Sequence, residues 1–314
     1  MCMLRVSEYV SAKELKSLCQ LSDWQGWYRV FYNYALIYLG FLLFLFLPNP
    51  FTFLISACLI AGRILGLGIL NHDAGHNTLF KSSFLNRLVG RWLLGGLIIV
   101  DYDAFKNGHS EHHRLAGSGT DPDLILIQNY PATKASMKRK FFRDLSGING
   151  LKELIYQIKV STVEKRIPNI VSHAALLSSL IALGAGWTYL TFWFGFIFIY
   201  PAFTRLRIMG EHGAVLDNNH PDPRINTRTT YANAIERLFI APNHVNFHLE
   251  HHIHQNIPAH NLKKAHKLFK SRGAYDGYDC VANGYWDVLK RCVSDSKGHS
   301  NTGAHAPSSV PQQS

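Results

Sequence analysis

The chain has 314 residues, 47% of them hydrophobic, with 32 Lys and Arg against 21 Asp and Glu and a formal net charge of +11. That length fits one large domain or two, and no Pro/Gly/Ser linker or internal repeat divides it. The basic residues flank apolar stretches without any helix-turn-helix, zinc-finger or RNA-binding signature, which sets nucleic acid aside. The five cysteines (Cys2, Cys19, Cys58, Cys280, Cys292) form no C-x-x-C pair, so neither a disulfide framework nor a thiolate metal site is indicated.

Taken in chain order, Met1 to Trp24 mixes acids with bases and lacks the apolar core of a signal peptide. Two apolar stretches follow, Phe31 to Leu47 and Phe51 to Leu70, joined by Pro48-Asn49-Pro50. A bilayer span needs roughly 20 mostly apolar residues, so these read as a membrane hairpin. Arg63 lies inside the second stretch and is expected to snorkel or to pair within the bundle. Leu88 to Val100 has only 13 residues and contains Arg91, which suits an interfacial or buried helix. The segment Pro131 to Ile167 is charged and reads as an amphipathic helix on the lipid surface. A second hairpin is expected from Ile170 to Leu183, a Gly184-Ala185-Gly186 turn, and Trp187 to about Met209. The tail, 294–314, is rich in Ser, Gly, His, Pro and Gln and reads as disordered.

The expectation is thus an all-α integral membrane domain over 1–293. Its spans lie at about 31–47, 51–70, 170–186 and 187–209, in two hairpins, with a helical cap outside the membrane. Charge orients it. Residues 1–30 hold 4 Lys and Arg, 71–169 hold 14 and 205–314 hold 13, while both hairpin tips hold none. If positive charge marks the cytoplasm, both termini and the central segment lie there.

Histidines carry the chemistry. His72 and His76, His109 with His112 and His113, and His248 with His251 and His252 form three short boxes, and His212 stands alone near the end of the last apolar stretch. On a helix, residues at i and i+4 share one face with Cβ atoms about 5–6 Å apart. Each box therefore offers a cluster of imidazoles, and four helix ends would converge on one site beside the bilayer. Nine imidazoles are too many for one tetrahedral zinc and enough for two metals. Imidazole suits Zn, Cu, Fe and Ni; two adjacent all-nitrogen sites fit a di-iron centre that activates O₂, and two zincs fit on ligand type alone. Ligating histidines usually donate their other N–H to a carboxylate or carbonyl. Asp73, Glu111, Glu211 and Glu250 adjoin the histidines, Asp121 and Asp123 follow the second box, and Asn243 or Asn246 could hold a metal-bound water. A metal transporter would need ligands within the spans, which carry only Arg63 and, at one edge, His173.

This pattern resembles the membrane fatty acid desaturase superfamily, which has H-x₃₋₄-H, H-x₂₋₃-H-H and H/Q-x₂₋₃-H-H boxes on four transmembrane helices. The resemblance covers roughly Gly62 to Ser294 and includes Asp121-Pro-Asp123. Arg205-Leu-Arg207-Ile-Met-Gly-Glu-His212, Asn226-Thr-Arg-Thr-Thr230 and Glu236 through His252 look like a bacterial subgroup that is also similar to rhizobitoxine-type desaturases. The resemblance implies O₂-dependent, two-electron oxidation by two non-haem irons, with O₂ as co-substrate. The eight box histidines would be ligands, with an extra one at His212. The third box begins with His248 rather than Gln, and no His-Pro-Gly-Gly haem motif occurs. Electrons are therefore expected from a separate ferredoxin, rubredoxin or cytochrome b5. A fatty acyl chain, as acyl-lipid, acyl-CoA or acyl-carrier, is the expected substrate. A hydroxylase or ketolase, or a desaturase of a non-lipid or isoprenoid molecule, would share the same site.

Overall fold

The Pro48-Asn49-Pro50 break does turn the chain between two apolar helices in the computed structural model, which describes residues 4–295. After the short helices α1 (Val6–Tyr9) and α2 (Ala12–Leu18), α3 (Asp23–Phe46) and α4 (Pro50–Gly75) pack as an antiparallel pair. Asn49 caps α4, its Oδ1 accepting from the N–H groups of Phe51 and Thr52 at 3.0 and 3.1 Å. Pro50, with no N–H to satisfy, takes the first helical position.

Apolar on every side over most of its length, α4 is the central helix of the bundle, as that pattern requires. Its one charged residue before the histidines, Arg63, is fully buried and donates to Asn33 Oδ1 at 3.3 Å and to the carbonyls of Arg237 and Leu238, so it pairs within the bundle. Gly66 lets α3 approach at this level, because a Cβ there would lie 2.1 Å from Asn33 Oδ1. Asn33 cannot swing away, since Arg63 and Asn243 both hold it. Gly66→Ala is therefore expected to cost about 1–3 kcal/mol by overpacking, measurable as a lowered thermal midpoint in detergent or lipid.

The chain continues through α5 (Ser83–Val89), a π-helical stretch (Gly90–Gly95) and α6 (Gly96–Ile98) into α7 (Tyr102–Leu115). Here the structure departs from the expectation of one short helix. Ser83–Ile98 and Tyr102–Leu115 form a pair bent by 96°. The bend passes through Ile99, whose φ of +59° is rare for a β-branched residue. Arg91 on one arm pairs with Asp103 on the other at 2.6 Å.

Beyond α8 (Leu124–Ile127) and β1 (Ala132–Thr133), the expected surface helix is two helices, α9 (Lys134–Leu145) and α10 (Ile148–Val160). They part at Gly147, where φ is +80°. Both expose large apolar side chains, among them Phe142, Leu145, Ile148 and Leu151. Next come α11 (Val163–Ala182), a 3₁₀ turn (Gly186–Thr188), α12 (Tyr189–Phe194), a second π-helical stretch (Gly195–Ile199) and α13 (Tyr200–His212). His173 on α11 faces α12, its Nδ1 2.7 Å from the Tyr189 hydroxyl and its ring stacked on Trp193.

Two helical segments among the described residues, Ala12–Phe46 and Pro50–Gly75, are long and apolar enough to cross a membrane, or three if the bent pair is one span. The expected third and fourth spans are helical but do not meet that measure. α11 opens on Glu164, Lys165 and Arg166 and contains Pro168, and the last stretch is divided by its π-helical turn and by Pro201.

The cap is built from α14 (Pro223–Asn226), α15 (Ala234–Phe239), α16 (His248–Ile253), α17 (Ala259–Ser271) and α18 (Tyr285–Cys292). Two short parallel pairs stitch it: β2 (Thr229–Thr230) with β3 (Val281–Ala282), and β1 with β4 (Val293–Ser294). The other regular elements among the described residues are all helices. Of the expected tail, Ser294 lies in β4 and Asp295 pairs with Lys134 at 2.5 Å, and the remainder lies outside the described residues.

Candidate metal centre

Four helices deliver the nine predicted histidines to one place. His72 sits in the last turn of α4 and His76 caps its C-terminus. His109, His112 and His113 share a face of α7, whose N-terminus is capped by Asp101. His212 ends α13, and the third box is α16 itself.

Their ring nitrogens form two groups. In the first, ligand atoms of His72, His76, His109, His113 and His251 all lie within 4.8 Å of one another. His113 Nε2 is 3.0 Å from His109 Nε2 and 2.9 Å from His251 Nε2. In the second, His112, His212 and His252 meet the same limit. His248 joins them, its Nε2 3.0 Å from that of His212 and 3.1 Å from that of His252.

Such contacts make sense around a cation. A ring nitrogen has one proton or one lone pair, so His113 Nε2 and His248 Nε2, each about 3 Å from two other imidazole nitrogens, cannot satisfy both neighbours by hydrogen bonds. The Nε2 atoms of both His72 and His76 are buried with no hydrogen-bond partner. On α16, burial first, and then the neighbouring imidazoles, hold His248, His251 and His252 well below the ordinary imidazole pKa. They are neutral, the form that ligates a metal. The donor set therefore fits metal ions, two by its division into five and four.

The opposite ring nitrogens are tied back. His72 Nδ1 donates to Asp73 at 3.0 Å, His112 Nδ1 to Asp121 at 2.8 Å, and His212 Nδ1 to the carbonyl of Asn226 at 3.0 Å. Each bond fixes a tautomer that leaves Nε2 free to ligate. Asp123 stands 3.7 Å from His112 Nδ1, and its N–H donates to Asp121 at 2.9 Å. Glu211 lies 3.8 Å from His248 Nδ1 and is held by Arg207 at 2.6 Å.

Three expected partners are elsewhere. Glu111 faces solvent and pairs with Arg114 at 2.5 Å. Asn243 donates to the carbonyl of Gly66 at 2.8 Å and accepts from Asn33 at 3.2 Å, which joins the cap to the bundle rather than to the histidines. Glu250 is fully buried but turns away from the rings, accepting from Thr229 at 2.5 Å, Tyr275 at 2.5 Å and His266 at 2.7 Å. Neither the Asn226 carbonyl nor the Glu250 anchor was anticipated. A backbone acceptor has no side-chain signature, and His266 looks like any cap histidine. Asp121→Asn is expected to weaken metal binding about 10- to 100-fold in a chelator competition, whereas Glu111→Gln should change it by less than about twofold.

Comparison with known proteins agrees with this arrangement. The fatty acid desaturase family model matches residues 48–281. An sn-1 oleoyl-lipid 12-desaturase from Picosynechococcus is 20% identical over 308 residues, covering 88% of this chain and 84% of that protein. The dihydrorhizobitoxine desaturase of Bradyrhizobium elkanii is 25% identical over 240 residues, 68% of this chain and 66% of its own. An sn-1 oleoyl-lipid 12-desaturase from Anabaena variabilis is 23% identical over 251 residues, 69% of each. The family match runs from the α3–α4 turn through all three histidine boxes to β3, and the chain belongs to the fatty acid desaturase family, an oxidoreductase of that kind.

Proposed function

We propose that this chain is an integral-membrane desaturase that introduces a double bond into a fatty acyl chain, using O₂ and two non-haem irons. The observation that carries this reading is the paired grouping of nine imidazoles, five of them buried and four half-buried, at the end of an apolar helical bundle. Two irons, when bound, supply O₂ activation for the removal of two hydrogens from adjacent carbons.

The chain's own residues do the rest. His72, His76, His109, His113 and His251 hold one iron, and His112, His212, His248 and His252 the other. Asp73, Asp121 and the Asn226 carbonyl fix the orientation of three rings, and Glu211, anchored by Arg207, faces a fourth. His72, His112, His212, His248 and His251 are buried, which shields much of the site from water.

Residues 1–293 act as one domain with the four spans set out above, in two hairpins. Both termini and the histidine site are cytoplasmic, the side on which Lys and Arg concentrate. The substrate is a fatty acyl group carried on lipid, CoA or carrier protein; the oleoyl-lipid desaturase relatives support an acyl chain on lipid. Ferredoxin, rubredoxin or cytochrome b5 supplies the electrons. A second reading, desaturation of a small non-lipid molecule, is favoured by the dihydrorhizobitoxine desaturase relative.

The test is metal analysis of the purified protein followed by mass spectrometry of products from acyl-lipid and acyl-CoA substrates with O₂ and reductant. Two irons per chain and a product lighter by two hydrogens are expected. A product heavier by one oxygen identifies a hydroxylase. Zinc at both positions with no oxygen consumption overturns the reading.

A further inference from the structure

The cap carries two basic surfaces of different chemistry. On α9 and α10, Lys138, Arg139 and Arg143 sit among exposed Phe142, Leu145, Ile148 and Leu151, the mixture that lies on lipid. The outer face of α17 is basic without being apolar. Lys263, Lys264, Lys267 and Lys270 are exposed there, and Lys13 and Lys16 are exposed on α2, which packs beside it. No large apolar side chain is exposed between residues 4 and 23 or between 247 and 284. None of these six lysines is in an ion pair among the described residues, and the nearest acid on α2, Glu14, is already paired with Arg272 at 2.5 Å.

The inner face of the same helix reaches the metal-site helix. His266 of α17 bonds Glu250 of α16 at 2.7 Å through Nδ1, and its Nε2 is 2.8 Å from the hydroxyl of Tyr231. Lys270 donates to that hydroxyl at 3.0 Å, which carries the chain of contacts to the surface. A body resting on α17 is thus separated from α16 by one helix thickness, about 10–12 Å with side chains.

We propose that this lysine face of α17, flanked by α2, is the docking site for a soluble one-electron carrier with an acidic rim around its redox group. The inference rests on the metal-dependent reading above. Desaturation breaks two C–H bonds and reduces O₂ to two waters. The two substrate hydrogens supply half of the electrons and protons, and two more electrons and two protons must arrive from outside. Two reduced carriers, each oxidised by one electron, supply those electrons, and solvent supplies the protons. Opposed charge speeds such an encounter and orients it, and salt beyond the Debye length weakens it.

The experiment uses the full chain in phosphatidylcholine nanodiscs, first without metal. Binding of oxidised plant-type ferredoxin, rubredoxin and cytochrome b5 is measured at low and high salt. At least one is expected to bind in a salt-sensitive way. The Lys263→Glu, Lys264→Glu, Lys267→Glu triple variant should weaken that binding at least about tenfold and flatten its salt dependence. With iron restored, each protein is reduced anaerobically with dithionite, freed of excess reductant and then given O₂ and acyl substrate. The two should yield the same amount of desaturated product in that single turnover, which shows that the variant is folded. Salt-insensitive binding of all three carriers, or equal binding by the variant, overturns the proposal. So does a lysine-dependent response to added phosphatidylglycerol with carrier binding unchanged, which would make the face a membrane contact. Absence of product from the wild-type protein in that single turnover, with carrier binding intact, would instead count against the di-iron reading.

Discussion

Replacing His251 by alanine is expected to abolish desaturation while leaving membrane insertion intact. His251 belongs by sequence to the third box but by position to the first group, where its Nε2 lies 2.9 Å from that of His113. Its loss therefore opens the five-histidine group and also breaks one of the links between α16 and α7. Losing an outer partner of a ligand costs about 10- to 100-fold, so losing the ligand itself should exceed about 100-fold. Stability separates this from simple unfolding. Without metal, the clustered imidazoles are desolvated and lack good partners, so one fewer should leave the melting point of the apoprotein unchanged or slightly higher. Metal stabilises the fold in proportion to its affinity, so the rise in melting point on adding iron should shrink in the variant. Near-full activity in His251→Ala, or in the parallel His72→Ala, would show the ligand assignment to be wrong.

The boxes were legible because helical periodicity is a local property. His109 and His113, or His248 and His252, share a face whatever the rest of the fold does. The same periodicity explains the partners that were misplaced. A residue two positions on points about 200° away around the helix, so Glu111 and Glu250 both turn from the rings that flank them. What covers the far face is a tertiary matter. For Glu111 it is solvent, and for Glu250 it is α17. Asp73 reaches its neighbour because a short side chain can fold back on the adjoining ring, and Asp121 because the loop after α7 returns it. The apolar helices divide in the same way. The first hairpin is written in two long apolar runs and a capped turn. The bent arm around Ile99 brings Arg91 against Asp103, a pairing across the bend that mean hydropathy does not register.

Glu250 is the residue whose removal should damage the centre most without touching a ligand ring. Its carboxylate is fully buried and accepts from Thr229, Tyr275 and His266, so it ties α16 to β2, α17 and the loop after it. α16 has six residues and no side-chain cap at its N-terminus, too short to hold itself in shape. Glu250→Ala leaves three buried donors without an acceptor, each at a cost of about 1–3 kcal/mol if none relaxes. Partial relaxation makes about 3–5 kcal/mol a reasonable expectation, a large share of the 5–15 kcal/mol typical of a domain. The second metal group should be lost with it, since His248 and His252 ride on α16. Glu250→Gln separates charge from anchoring. Its carbonyl can still accept from Thr229, and its amide can donate to His266 Nδ1 and to the Tyr275 oxygen once His266 takes the other tautomer and Tyr275 turns its proton away. The glutamine variant should therefore keep most of the stability and metal content that the alanine variant loses. Equal loss in both would mean that the negative charge itself holds α16, and no loss in Glu250→Ala would mean that the anchor is elsewhere.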